Sequence, residues 1–287
     1  MKGLSALGWG DFFEQQISPE DRLESTVARI VEPLRGLSRA VCPAGELWAE
    51  CSEKPGPSIG DWVVGHVRRV GPSEIRLSID RILKRRSVLS RAAPGGKGYA
   101  QILCANADVA FVVLAVTQQL NPPGVQRLLA AVRESGLAPV IVLTKADDLQ
   151  ASAAVMKSVE AIAAGAPVHC VSVFEGRGIE LIEPYFAGGK TVVLLGASGA
   201  GKSTLVNHLL GAAFQRIEQV RESDQKGRHT TTARRLYLLP SGGMVIDSPG
   251  FREMVPWEGV PVSDSSKTGK LKKPYAGPRG PRGSAEE

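Results

Sequence analysis

Between residues 26 and 80, apolar and polar positions come in short runs broken by glycine, proline and serine. The runs TVARIVEPL (26–34), LSRAVCP (37–43), GELWAECS (45–52), GDWVVGHVRRV (60–70) and SEIRLSI (73–79) are rich in Val, Ile and Trp. Such runs, closely spaced and bounded by turn residues, predict short strands. Five strands in so short a stretch suit a small closed barrel of the oligonucleotide-binding type, since a sandwich needs seven or more. Trp48 and Trp62 fall inside the runs and are assigned to the barrel core rather than to base-stacking platforms.

From residue 100 the period changes. ADVAFVVLAV (107–116) and APVIVLTKAD (138–147) are continuous apolar runs, the pattern of parallel strands buried on both faces. Between them PGVQRLLAAVRESG (123–136) has helical spacing, with proline near its start and glycine at its stop. A second helix (AAVMKSVEAIAAG, 153–165), the strands PVHCVSV (167–173) and KTVVLLG (190–196), the helix GKSTLVNHLLG (201–211) and the strands ARRLYLLP (233–240) and GGMVIDS (242–248) follow. Alternating β and α units predict an α/β fold with a doubly wound, mostly parallel sheet. The expected organisation is an N-terminal extension (1–25), a β-barrel (26–90), the α/β domain (91–256) and a tail (257–287) whose Pro, Gly, Ser and Lys bury too little apolar surface to order.

Charge adds a hint about partners. The formal net charge is +6, and residues 261–287 hold six Lys or Arg against three Asp or Glu, so +3 sits in the tail. RILKRRSVLSR (81–91) forms a second basic cluster. Polyanion binding and a solvated basic face both remain open on this evidence. Cys42, Cys51, Cys104 and Cys170 are scattered without zinc spacing and read as free thiols. No run is long enough to cross a bilayer, and Asp11 and Glu14 interrupt the N-terminal apolar stretch, so no membrane partner and a cytoplasmic location are expected.

The chemistry lies in two segments. Gly196, Ala197, Ser198, Gly199, Ala200, Gly201, Lys202, Ser203 and Thr204 match G-x-x-x-x-G-K-[ST] between a strand and a helix. Backbone amides of such a loop close around a β-phosphate, the lysine reaches β/γ oxygens, and the Ser203 hydroxyl is placed to ligate Mg²⁺. About 45 residues on, Asp247 ends a strand before S-P-G; its carboxylate can hold Mg²⁺ through water, and the Gly250 amide can sense a γ-phosphate. Upstream, Thr144, Lys145, Ala146 and Asp147 read as a guanine sensor. Asp147 would accept from N1–H and the exocyclic amine, which adenine lacks, and the Lys145 stem would cover the base. Ser172 and Val173 fit the loop whose amide meets guanine O6. The usual first residue of the sensor is Asn; Thr144 keeps a hydroxyl but loses the amide, leaving one contact to the base or the phosphate loop open.

The sensor precedes the cradle, the reverse of the common order. A sheet tolerates such reordering where the old termini lay close together. With LGWGDFFEQQ, GELWAE, GDWV, KRRSVLSR, QILCANAD, TKADDL, GASGAGKSTLVN, KGRHTTT and DSPGFRE, this order resembles the circularly permuted, ribosome small-subunit-dependent GTPases of bacteria over roughly residues 5–256. The resemblance implies a P-loop GTPase domain, circularly permuted and preceded by the OB-type barrel. It also implies late maturation of the small ribosomal subunit, contact with its 16S-type rRNA through the barrel, GTP as substrate and Mg²⁺ as cofactor. A monomer is expected.

Phe251 follows D-S-P-G where many GTPases place a water-positioning Gln, so another side chain must orient the nucleophile. His229 of GRHTTT is the candidate, a catalytic residue beside Lys202; of the adjacent threonines 230–232, Thr231 is assigned to Mg²⁺. Such a site should turn over slowly until a partner orders the loop. His66, His169 and His208 lie in predicted strands or a helix and read as structural. Relatives usually continue into a small zinc-binding domain; no Cys follows Cys170 and no His follows His229, so no zinc site is expected and the basic tail is the candidate anchor. The rival functions are a non-hydrolysing GTP-binding RNA module and an ATPase or kinase of the same fold.

Overall fold

The computed structural model describes residues 3–34, 36–52, 54–72, 74–92, 100–211 and 234–247. Two short helices lead in, α1 (Asp11–Glu14) and α2 (Pro19–Glu24), the latter started by a Ser18/Asp21 capping box. They do not hang free of the barrel. Leu4, Leu7, Phe13 and Ile17 form one buried cluster with Val27, Trp62, Val64 and Leu83. The N-terminal segment thus completes the core around Trp62, which sequence alternation alone did not reveal.

Strands β1 (Thr26–Pro33), β2 (Leu37–Cys42), β3 (Gly45–Glu50), β4 (Trp62–Arg69) and β5 (Ile75–Ile82) close a barrel in the order β1-β2-β3-β5-β4. All its pairs are antiparallel except β3–β5. Alternate residues such as Ala28, Ile30, Ala40, Val63 and Leu77 fill the interior, and closure removes exposed edges. Trp62 is fully buried, whereas Trp48 is half-buried with the Arg39 guanidinium 4.4 Å from its ring centre.

β6 (Val88–Ala92) and β7 (Ala100–Ala105) pair as a separate antiparallel ribbon. Beyond it come β8 (Val109–Ala115), α3 (Pro122–Glu134), β9 (Ala138–Thr144), α4 (Leu149–Glu160), β10 (Val168–Cys170), α5 (Ile179–Ile182), β11 (Thr191–Leu195), α6 (Lys202–Leu210), β12 (Arg235–Leu238) and β13 (Met244–Asp247). The sheet order is β10-β9-β8-β11-β13-β12, parallel throughout except for β12. Val109–Val113 and Val192–Leu195 are buried, as expected for strands covered on both faces. The α3 start is capped by the Asn121 side chain on the Gly124 amide, with Pro122 and Pro123 following in its first turn.

Barrel and sheet share a core, in which Val31 and Ile59 pack with Val193, Leu195, Leu236, Met244 and Ile246. Arg29 of β1 is buried at this junction. Its guanidinium donates to the Leu7 carbonyl (2.5 Å), the Asn106 carbonyl (2.9 Å) and the Met244 sulfur (3.2 Å). Burial pulls it down to about 10, which leaves it charged at neutral pH. Arg235 of β12 reaches Glu32 (3.3 Å) and Glu46 (3.0 Å) of the barrel.

The basic cluster at 81–91 is largely committed to the fold. Arg85 forms a two-pronged pair with fully buried Asp61, both N–O distances 2.7 Å. Arg86 pairs with Asp108, Arg81 with Asp21, and Arg91 with Gln101. Among the described residues Cys42, Cys104 and Cys170 are free thiols. No helix among them is long and apolar enough to cross a membrane.

Candidate functional site

The parallel strands all end at one edge of the sheet, where their following loops converge. β9 delivers Thr144–Asp147, β10 delivers Ser172 and Val173, β11 delivers the 196–201 loop, and β13 ends at Asp247. β8 alone separates β9 from β11, so the two key loops stand two strand spacings apart, roughly 10 Å.

The phosphate-type loop has the backbone its glycines require. A Cβ on Gly196 would sit 2.3 Å from the Val113 carbonyl oxygen, so no side chain fits where the loop leaves β11. Gly201 has φ +86° at the N-cap of α6, and a Cβ there would press on Thr144 at 3.1 Å. Lys202 is buried; its Nζ donates to the carbonyls of Gly196 (2.8 Å) and Ala197 (2.7 Å), leaving a third N–H for an anion. Burial lowers its pKa, opposed by the Asp247 carboxylate. Ala197, Ser198, Gly199, Ser203 and Thr204 are exposed at the loop and the first turn of the helix. The Gln118 amide donates to the Ser198 carbonyl at 3.3 Å, a tie from the β8 loop that the sequence did not signal.

The sensor segment is joined to this loop directly. The Thr144 hydroxyl donates to the Ala200 carbonyl at 2.6 Å, with the Leu114 carbonyl at 3.3 Å. The contact left open by the missing Asn amide is therefore one the hydroxyl makes to the phosphate-type loop. Lys145, exposed, adopts φ +56°, an uncommon left-handed conformation for a side-chain-bearing residue. Ala146 is buried and its amide donates to the Val171 carbonyl (3.3 Å), while Asp147 is exposed and accepts from the Ser172 hydroxyl. Ser172 Oγ in turn accepts from the Glu175 amide (3.1 Å). Oδ2 of Asp147 and further lone pairs remain for two N–H donors on a base edge.

Ser203 and Asp247 offer a hydroxyl and a carboxylate at the same edge, hard oxygen donors of the kind Mg²⁺ takes. Among the described residues no cluster of three or more His, Cys, Asp or Glu could hold a metal by itself. His229, Thr230, Thr231, Thr232, Gly250, Phe251 and the tail lie outside the described residues. Of the remaining histidines, His66 pairs with Asp80 (2.6 Å), His169 meets the Tyr185 hydroxyl (2.9 Å) and burial lowers its pKa. His208 sits in α6.

Sequence reasoning missed Asp148, which caps α4 through the amides of Gln150 (2.9 Å) and Ala151 (3.1 Å). An acidic residue just before an apolar-periodic run was the available signal. It also missed Arg177, whose guanidinium donates to the carbonyls of Ala146 (2.8 Å) and Asp147 (3.2 Å). A lone arginine in a glycine-rich loop gave no signal.

The model of the RsgA GTPase family matches residues 82–257. The chain is 35% identical over 252 residues to a protein of Vibrio vulnificus (strain CMCP6) named small ribosomal subunit biogenesis GTPase RsgA 2, covering 88% of this chain and 70% of that one. Similarly named relatives are 37% identical in Opitutus terrae (92% and 76% covered) and 38% identical in Streptomyces avermitilis (89% and 70% covered). The fold is similar to the crystal structure of YjeQ from Thermotoga maritima, with TM-score 0.58 and 22% identity over 79% of this chain and 75% of that one. It is similar too to that of YloQ, described as a circularly permuted GTPase, with TM-score 0.56 and 21% identity over 83% and 76%.

Proposed function

The chain belongs to the RsgA GTPase family, and from that premise we propose that it hydrolyses GTP to GDP and phosphate in late maturation of the small ribosomal subunit, in the cytoplasm and as a monomer. The observation that carries this reading is the 2.6 Å bond from Thr144 to the Ala200 carbonyl. It supports a single nucleotide lying across β8, its guanine against Asp147 and its phosphates in the 196–201 loop.

Asp147, oriented by Ser172, accepts from guanine N1–H and the exocyclic amine; an adenine would leave this carboxylate facing a lone pair. Lys145 covers the base and the Val173 amide meets O6. The amides of Gly196–Thr204 close on the β-phosphate at the positive end of α6, and Lys202 neutralises charge on the β/γ oxygens. Ser203, Thr231 and, through water, Asp247 would hold Mg²⁺, which supplies further charge neutralisation at the phosphate oxygens when bound. Gly250 senses the γ-phosphate and His229 orients the attacking water. This is catalysis by positioning and electrostatics.

The barrel is assigned to 16S-type rRNA. In support, the outer half of β4, His66–Arg69, is exposed and carries Arg69 beside Arg68, the latter paired with Glu50; exposed cations can release counterions from a phosphate backbone. Isothermal titration tests the nucleotide assignment: GDP should bind at least about a hundredfold more tightly than ADP, and equal affinities would end the guanine reading. Phosphate release with and without small subunits tests the activation. Turnover that small subunits leave unchanged would favour a non-hydrolysing GTP-binding RNA module.

A further inference from the structure

We propose that Arg177 is a positioning residue for guanine selectivity, acting through the main chain of the sensor; this rests on the guanine reading above. Three groups on the 171–177 loop tie it to the Thr144–Asp147 segment, through four hydrogen bonds. The Ala146 amide donates to the Val171 carbonyl at 3.3 Å, and the Ser172 hydroxyl donates to the Asp147 carboxylate. The third tie is the Arg177 guanidinium, which bridges two successive carbonyls, Ala146 at 2.8 Å and Asp147 at 3.2 Å. It is the one side-chain tie here whose donor is not itself assigned to the base.

Arg177 is built for such a task. Its own backbone is fixed in both directions, Ser172 N–H to the Arg177 carbonyl (2.9 Å) and Arg177 N–H to the Ser172 carbonyl (3.0 Å). Its guanidinium is also paired with Glu175 at 2.7 Å. The carbonyls it holds follow directly on Lys145, whose left-handed φ of +56° persists only where surroundings enforce it. Ser172 holds the tip of the Asp147 side chain, and Arg177 holds its root. Asp147 itself is exposed, so without the lower hold its carboxylate would lose the alignment that two parallel hydrogen bonds to a base edge demand. The contacts Arg177 supports are those to N1–H and the exocyclic amine, not those to the phosphates.

The test is titration of the full chain and its variants with GDP, IDP and ADP, IDP lacking the exocyclic amine. Arg177→Met should weaken GDP by about tenfold, a typical effect of losing a charged hydrogen bond, and IDP by less, so that the GDP-to-IDP preference narrows. Arg177→Lys should recover part of that preference. In an Asp147→Ala background the Met substitution should cost nothing further, because its effect is routed through the missing carboxylate. An unchanged GDP-to-IDP ratio in Arg177→Met overturns the proposal, as does an equal loss in the Asp147→Ala background. Should the Met variant lack a cooperative melt, the ratio in Arg177→Lys decides: identity with the parent chain counts against the proposal, and a narrowed preference counts for it. If the parent chain itself fails to prefer GDP over ADP, the guanine reading has failed first.

Discussion

The hydroxyl of Thr144 and the carbonyl of Ala200 are hydrogen-bonded at 2.6 Å, although 56 residues separate them in the chain. A threonine at this position thus locks the sensor to the phosphate-type loop, and the common Asn is not needed for that tie. Gly201 lies against the same threonine, so the loop has no slack on that side.

Thr144→Val keeps the shape and removes the donor. The buried Ala200 carbonyl then lacks this partner, a loss of about 1–2 kcal/mol. GDP affinity should fall roughly five- to thirtyfold, with the preference over ADP retained, as calorimetry can measure. No loss of affinity would show that the bond is not coupled to binding.

Asp147→Asn exchanges two acceptor lone pairs for an amide that can donate. Guanine should lose at least about a hundredfold in affinity, while xanthine, which carries an oxygen in place of the exocyclic amine, should gain. Competition between GDP and XDP reads this directly. An Asn variant that still prefers GDP would remove Asp147 from the base site.

Lys202 gives a pH signature. Burial lowers its pKa below the ordinary lysine value of 10.5, so the folded protein releases this proton before the unfolded chain does. Between those two values the unfolded state holds more protons, and this group's contribution to stability rises with pH. Nucleotide affinity should move the opposite way, weakening as pH climbs through the lowered pKa and the ammonium is lost. Lys202→Met should flatten that alkaline limb in titrations of GDP; a limb unchanged by the substitution would assign it to another group.

The Asp61–Arg85 pair should matter for folding rather than for nucleotide. Asp61 is fully buried, and it also accepts from the Ser58 amide at 2.7 Å. Asp61→Ala strands the largely buried Arg85 guanidinium and should cost about 3–5 kcal/mol in urea unfolding. GDP affinity of the folded fraction should not change.

Arg235 links β12 to Glu32 and Glu46 of the barrel, and β12 pairs with the strand that ends at Asp247. If the barrel docks on the subunit, this contact lies on the route to the nucleotide edge. Arg235→Met should leave basal phosphate release within about twofold and reduce subunit stimulation severalfold, an effect of the size expected for a coupling of about 1 kcal/mol. Equal stimulation in both chains would exclude this route.

Much of the scaffold was legible because it depends on local chemistry. Apolar runs such as 109–115 and 191–195 are short and rich in valine, which favours buried strands over helices, and G-x-x-x-x-G-K-S after such a strand leaves little choice of loop. The β6–β7 ribbon and the α5 turn escaped notice. β6 overlaps the basic 81–91 stretch, where charges that in fact pair with Asp61 and Asp108 read as a surface patch. Arg177 and Gln118 were invisible for a different reason: their partners are main-chain carbonyls of remote segments, which carry no sequence signature.

Reading the chain alone was enough for most of the strands, the phosphate-type loop, the residues proposed for the base and the order of these parts. Each follows from side-chain period or from a contiguous motif. It took the folded chain to show that β8 stands between sensor and cradle, that Thr144 closes onto Ala200, and that the N-terminal segment completes the core around Trp62. These depend on strand order and on contacts between segments far apart in the chain, and burial of apolar surface selects them without marking any one position.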